Sequence, residues 1–274
     1  MSRKADRQHF IAQFYLKNFA EPMFSDKLHV YDMCKQCWDE RTPYGVGWER
    51  RLFTMIDMQG NRTDEFDKFL KRKVEDPSAP ALKKLATGNS LDNTERSAVA
   101  LFIALTATRS PELMNLMTKD HVASLPASDQ EELDDLAKLW CECTGQVYDS
   151  KARAEFMKPS SFGAIWLMSQ SLRSRLLQWQ WHFLSTPRDR PFVTSDRPVF
   201  LEWDREQDTR MVSFPVSSEV ALIVTPEGLL NEKRDRANEV WAVNRQTMAH
   251  ANKFVAACGE TFPGDEVLGH AGSR

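Results

Sequence analysis

His9, Asp32, Arg109 and Asp196 are the side-chain types that a phosphodiester-cleaving centre uses. An imidazole can act as base or metal ligand, carboxylates as acids or hard oxygen ligands, and a guanidinium can clamp a phosphate. Around Asp196, the run Phe192-Val193-Thr194-Ser195-Asp196-Arg197-Pro198-Val199 sets two hydroxyls, a carboxylate and a guanidinium between two apolar strand ends. Thr194, Ser195 and Arg197 are substrate-binding candidates there, and Gln8, next to His9, is another. Each of these residues also has a structural use. Asp32 suits a strand-end turn, and Ser195 and Asp196 suit an Asx or ST turn. A neutral His9 in a buried segment can be a hydrogen-bond partner, and Arg109 at a helix end can bond the last carbonyls. No Gly-x-Ser-x-Gly elbow surrounds Ser195, which argues against a serine nucleophile.

Other constellations are less coherent. Glu65 and Glu75 are ten residues apart, about 80° short of three full helical turns, so one helix face does not present both squarely. Their structural roles are a first-turn acid and an exposed helix-end residue. Cys34-x-x-Cys37 and Cys141-x-Cys143 have the donors of a four-thiolate zinc site, but the second pair has the wrong spacing and falls on a helix. Packing at a hairpin tip accounts for the first pair.

These residues need a scaffold, and its elements are legible as changes of hydrophobic period. The opening puts Phe10, Phe14, Tyr15, Leu16 and Phe19 within ten residues, which a solvated terminus would not do, so it must dock. Alternation over 27–32, followed by 37–42, predicts two strands and a tight turn, and a third strand is expected over 51–56. From Thr63 the period becomes helical, with Thr63 or Asp64 as cap. The span 91–109 reads as a buried helix capped by Asp92 or Asn93, with Glu95 placed for a capping interaction. Further helices are expected over 112–122, from 128 with an acidic face, and over 160–177. At Gln178 the period returns to alternation, predicting strands there and over 191–194, 198–203, 211–214, 219–224 and 240–243. Asn244 then caps a helix carrying Met248, Phe254 and Val255, and a flexible tail spans 259–274. This is an α+β fold: a small N-terminal antiparallel sheet, a helical middle, and a C-terminal antiparallel sheet with a closing helix. No linker divides 1–258, which reads as one composite domain.

Composition narrows the function classes. The 274 residues carry a net charge of −3, against a surface built wholly as a polyanion sink. A local basic face remains, Arg173, Arg175, Arg188, Arg190 and Arg197 with Trp179 and Trp181, and its plain reading is a solvated helix face followed by a strand with buried tryptophans. No apolar run reaches the roughly 18 residues of a membrane helix, and no secretory signal opens the chain. Five cysteines, an odd number without an evenly paired framework, fit a reducing compartment, so a cytoplasmic protein with no membrane contact is expected.

Gln8-His9-Phe10, then Phe14-Tyr15-Leu16-x-x-Phe19, Val30-Tyr31-Asp32, Arg109-Ser110-Pro111 and Phe192-Val193-Thr194-Ser195-Asp196-x-Pro198-Val199 together resemble the domain of unknown function 4238 family. Phe214-Pro215-Val216-Ser217 and the Asn244 helix suit the same pattern, so the resemblance covers most of residues 7–257. The chain departs from it at Ala12, where the family has Pro, and at Arg197, where Asn is frequent. The resemblance implies a bacterial or phage-borne cytosolic protein, in some cases found in antiviral defence contexts, and it fixes no reaction. Two functions follow. One is a hydrolytic effector acting on nucleic acid or nucleotide phosphodiesters, with a divalent metal as a possible cofactor: His9 would be base or ligand, Asp32 and Asp196 acids, and Arg109 the clamp. The other is a noncatalytic sensor or partner-binding protein, as a homo-oligomer or with another protein, in which the same residues are a buried polar network. A third function, NAD-consuming transfer or hydrolysis, lacks a recognisable nucleotide motif. In either reading, Gln8 and His9 are expected against the Thr194-Ser195-Asp196 loop.

Overall fold

The computed structural model describes residues 7–20, 26–50, 52, 55–56, 62–108, 131, 134–135, 137–138, 141–142, 147–156, 162–203, 209–228 and 236–268. The chain opens with β1 (Arg7–His9) and the short helix α1 (Gln13–Leu16), which runs into a 3-10 turn ending at Phe19. A hairpin of β2 (Leu28–Asp32) and β3 (Cys37–Arg41) follows as the alternation predicts. Next comes β4 (Trp48–Arg50), which pairs back on β1. Of the strand expected over 51–56, Met55–Ile56 form β5, paired with β6 (Arg62–Thr63), and 51, 53 and 54 lie outside the described residues.

The helix expected from Thr63 starts as α2 (Glu65–Leu70), widens through a π turn at Lys71–Glu75, and continues as α3 (Asp76–Ala86) past Pro77 and Pro80. Helix α4 (Asn93–Thr108) has its capping box in place: Asp92 Oδ1 accepts from the Glu95 amide at 2.8 Å, and Glu95 Oε2 accepts from the Asp92 amide at 3.0 Å. Every residue from Val99 to Thr108 is buried. The helix expected over 112–122 lies outside the described residues. In the acidic segment the described positions 131, 134, 135, 137, 138, 141 and 142 are helical, with Ala137 and Cys141 buried. Helices α5 (Ser150–Phe156) and α6 (Phe162–Gln178) follow, and α6 packs along α4.

The rest of the chain is β7 (Gln180–Ser185), β8 (Thr194–Ser195), β9 (Phe200–Trp203), β10 (Thr209–Pro215), β11 (Val220–Thr225), α7 (Arg236–His250) and β12 (Phe254–Ala257). Two four-stranded antiparallel sheets result, in the orders β7-β11-β10-β9 and β3-β2-β12-β8. The fold is α+β, and its second sheet interleaves the two ends of the chain. Residues 240–243, expected as a strand, lie inside α7, and Asn244 is a mid-helix residue rather than a cap. Phe254 and Val255, expected on that helix, belong to β12. The inward stripe of α7 is Val240, Val243, Asn244, Thr247 and Met248, a helical spacing that its two polar members conceal.

One core joins Ile11, Tyr15, Leu16 and Phe19 to α4, to α6 and to the first sheet. Strand β12 is buried on both faces: Phe254 and Ala256 enter this core, while Val255 and Ala257 meet Tyr31, Met248 and Phe262 on the other side. The segment expected to be a loose tail therefore packs as far as residue 268. Phe262 is buried, the Tyr31 hydroxyl donates to the Leu268 carbonyl at 3.2 Å, and Trp241 Nε1 donates to Glu266 at 2.7 Å. Among the described residues, no helix is long and apolar enough to cross a membrane.

Candidate functional site

His9 ends β1 opposite Trp48, and both of its ring nitrogens are engaged. Nε2 lies 3.3 Å from the Tyr44 carbonyl, so it carries the proton, and Nδ1 accepts from Gln13 Nε2 at 3.4 Å. Burial holds the imidazole below the ordinary histidine value, against the pull of the Tyr44 carbonyl and with a small push from Arg7. Gln8 is buried at 4% exposure, opposite Glu49. The turn after β1 closes on Gly47, whose carbonyl accepts from the Phe10 and Ile11 amides. At φ +67°, and with Ile11 Cβ 3.0 Å from where a side chain would begin, position 47 requires glycine.

Asp32 sits where strand β2 turns. Oδ1 accepts from the amides of Cys34 and Lys35, both at 3.1 Å, and Oδ2 from the Arg41 guanidinium at 3.1 Å. Burial pushes its carboxyl up, but the Lys35 amide, Arg41 and the Cys34 amide together hold it below the usual range. This is an Asx turn joined to a cross-strand ion pair.

In the second sheet, the Ser195 hydroxyl accepts from the Arg197 amide at 3.0 Å, an ST turn. Asp196 is 8% exposed, and its Oδ1 accepts from the amides of Asn252, at 3.0 Å, and Phe254, at 3.3 Å. Desolvation raises its carboxyl above the usual range, although the amides of Lys253, Phe254, Asn252 and Asp196 itself pull the other way. Thr194 Oγ1 meets the Tyr15 hydroxyl at 2.8 Å. The phenol proton goes to the Pro215 carbonyl, also at 2.8 Å, so Thr194 is the donor to Tyr15.

Hydrogen bonds from Tyr15 and Asn18 hold the N-terminal segment against the C-terminal half. Tyr15 reaches Thr194 and Pro215. Asn18 donates from Nδ2 to the Val216 carbonyl at 3.0 Å, and its own carbonyl accepts from the Ser218 amide at 3.1 Å. No hydrogen bond or ion pair joins His9 to Asp196, and Arg109 lies outside the described residues. The sequence reading treated Tyr15 as one more docked aromatic and missed its hydroxyl. It also missed Asn244, fully buried, whose Oδ1 accepts from the Val193 amide at 3.0 Å while Nδ2 donates to the carbonyls of Pro191 (3.0 Å) and Pro263 (2.8 Å). A polar residue on the apolar stripe of α7 was the available signal.

Among the described residues, no group of three His, Cys, Asp or Glu side chains is placed to hold a metal ion. Cys34 and Cys37 are exposed free thiols at the hairpin tip, Cys141 is buried with its thiol pushed up by desolvation, and Cys143 lies outside the described residues. In the basic face, Arg188 pairs with Glu219 at 2.6 Å, and Trp181 is tied by its Nε1 to the Leu176 carbonyl at 2.8 Å and covered by Arg96.

Among the described residues, two surface pockets lie elsewhere. One of about 640 Å³ is bounded by Asp189, Arg190, Trp241 and Phe262, and one of about 420 Å³ lies over the start of α4. None of His9, Asp32, Thr194, Ser195, Asp196 or Arg197 lines either.

No curated protein and no solved structure matches the chain. Residues 7–261 match the family described as "Protein of unknown function (DUF4238)", a span that takes in β1, both four-stranded sheets and the Tyr15–Thr194 contact. The chain belongs to the DUF4238 family.

Proposed function

We propose that this protein is a noncatalytic sensor or partner-binding protein, in which the residues suited to hydrolysis hold the two ends of the chain together. The observation that carries this reading is the commitment of Asp196. Its carboxylate is only 8% exposed, and its Oδ1 accepts the amides of Asn252 and Phe254 at the entry to β12, which is the use of a turn cap. Ser195 and Asp32 are spent on turns in the same way, and Thr194 on Tyr15. A catalytic acid or metal ligand needs a lone pair turned toward the substrate, in a site that the substrate can enter.

The test sets this against the hydrolytic effector built on His9, Asp32, Asp196 and Arg109. Purified protein and its His9→Ala variant are incubated with single- and double-stranded DNA, RNA and ATP in the presence of Mg²⁺ or Mn²⁺, and both are expressed in cells whose nucleic acids and nucleotide pools are followed. The expected result is no hydrolysis and unchanged pools for both. Cleavage by the wild type that disappears in His9→Ala at unchanged melting temperature overturns the proposal in favour of a nuclease or phosphodiesterase.

A further inference from the structure

The smaller pocket is the more informative of the two. Among the described residues, Lys73, Asn93, Thr94, Ser97 and Arg173 line it with Ala98 and Leu101, and none of these is a carboxylate or an aromatic ring. We infer that it binds a phosphate group.

Arg173 supplies the first argument. It is half-buried, and among the described residues its bonds go to uncharged oxygens, Gln170 Oε1 at 2.9 Å and Ser97 Oγ at 2.7 Å, while Nε has no acceptor there. A guanidinium removed from water is normally matched to a carboxylate or phosphate, whose oxygens fit its fork of donors. Gln170 holds the guanidinium through its carbonyl oxygen and is not one of the lining residues.

Lys73 supplies the second. The lysines near it are paired: Lys68 with Asp64, Lys71 with Asp76, and Lys84 with Glu95. Lys73 has no such partner among the described residues, and the π turn at Lys71–Glu75 sets it at the pocket. π turns inside helices are frequent at functional sites. The helix beneath adds to the same field. Asp92 caps the Glu95 amide, and the Asn93 and Thr94 amides, at the positive end of a sixteen-residue helix, have no acceptor among the described residues. Ser97 accepts from Arg173 and keeps its own proton to donate.

Two cations, amides and hydroxyls in a pocket of about 420 Å³ select a compact oxyanion. No aromatic ring lines it among the described residues, so the pocket takes a phosphate group, either free or at the end of a nucleotide. This gives the sensor reading a ligand class without resting on it, because the pocket shares no residue with the Tyr15–Thr194–Asp196 brace.

The test is calorimetric titration of the full chain with inorganic phosphate at fixed ionic strength, repeated with Lys73→Glu and with Lys83→Glu, a charge reversal at an exposed lysine outside the pocket. The expected result is saturable binding that weakens about tenfold or more in Lys73→Glu and is unchanged in Lys83→Glu. Absence of saturable binding to the wild type, or equal weakening by both variants, overturns the inference. Competition with ADP assigns the source: tighter binding than phosphate marks a nucleotide, and weaker binding marks the free ion. Phosphate binding without hydrolysis, hydrolysis without phosphate binding, and neither are separate outcomes, so this inference and the proposed function fail independently.

Discussion

Asp32 and Asp196 are the same residue type put to the same kind of use, accepting backbone amides, yet they respond oppositely to pH. Asp32 has Arg41 beside it, and its folded-state affinity for a proton is lowered. Its contribution is complete above the unfolded aspartate value of about 4 and is lost as pH falls below that through the folded-state value. Asp196 is desolvated without a cation, and its affinity is raised. Its favourable contribution is complete below about pH 4 and is lost as pH rises through the folded-state value. The Asn variants separate the two. Asp32→Asn should be less stable than wild type near neutrality by about 1–3 kcal/mol, with the gap closing as pH falls below about 4. Asp196→Asn should gain on wild type as pH rises above about 4. Urea midpoints across this range check both, and parallel pH profiles for the two variants would contradict the assignment. The difference also explains what could be read in advance. The amides on Asp32 belong to residues two and three positions on, a local pattern that the Asx turn makes visible in sequence. Asp196 bonds amides at 252 and 254, and nothing in its neighbourhood along the chain announces them.

Elements whose signals are local were legible in the same way: the Asp92/Glu95 capping box, the β2–β3 hairpin, and the change of period that begins β7. The last helix and strand were misread because a short apolar run such as 240–243 fits either period, and because Asn244 and Thr247 look like solvent-facing residues. The structure turns them inward. Asn244 pins α7 to the carbonyl of Pro191, the amide of Val193 and the carbonyl of Pro263, and so fixes the strand β8 that carries Thr194. Asn244→Leu preserves approximate volume and helix propensity but leaves one buried donor and two acceptors unpaired. Each such group costs about 1–3 kcal/mol, so the variant should lose several kcal/mol, a large part of a typical stability of about 5–15 kcal/mol. Hydrogen exchange resolved by residue should show the Val193 amide losing protection. A variant as stable as wild type would mean that water replaces all three bonds and that the pin is dispensable.

At the scale of the molecule, the opening segment is a structural member of the far half of the chain. Tyr15, Leu16 and Phe19 are completely buried, and Tyr15 stacks on Phe214 with ring centroids 5.1 Å apart. Burying each of these side chains contributes about 1.5–3 kcal/mol, so the three together rival the whole net stability of an ordinary domain. The hydroxyl of Tyr15 adds the cost of leaving the Pro215 carbonyl unpaired if it is lost. Burial also pushes the phenol far above its usual pKa, so the bond is insensitive to pH across the working range. The core that receives the segment also takes in residues of α4, α6 and both sheets, so loss of the segment opens the core that they share. Removing residues 1–19 should therefore abolish the cooperative thermal transition of the entire chain rather than trim its melting temperature. Tyr15→Phe, which keeps the ring and loses only the hydroxyl, should retain a single transition shifted down by about 1–3 kcal/mol of stability. Calorimetry of the two variants distinguishes a member of the core from an appended arm, because an arm would leave the main transition in place after truncation.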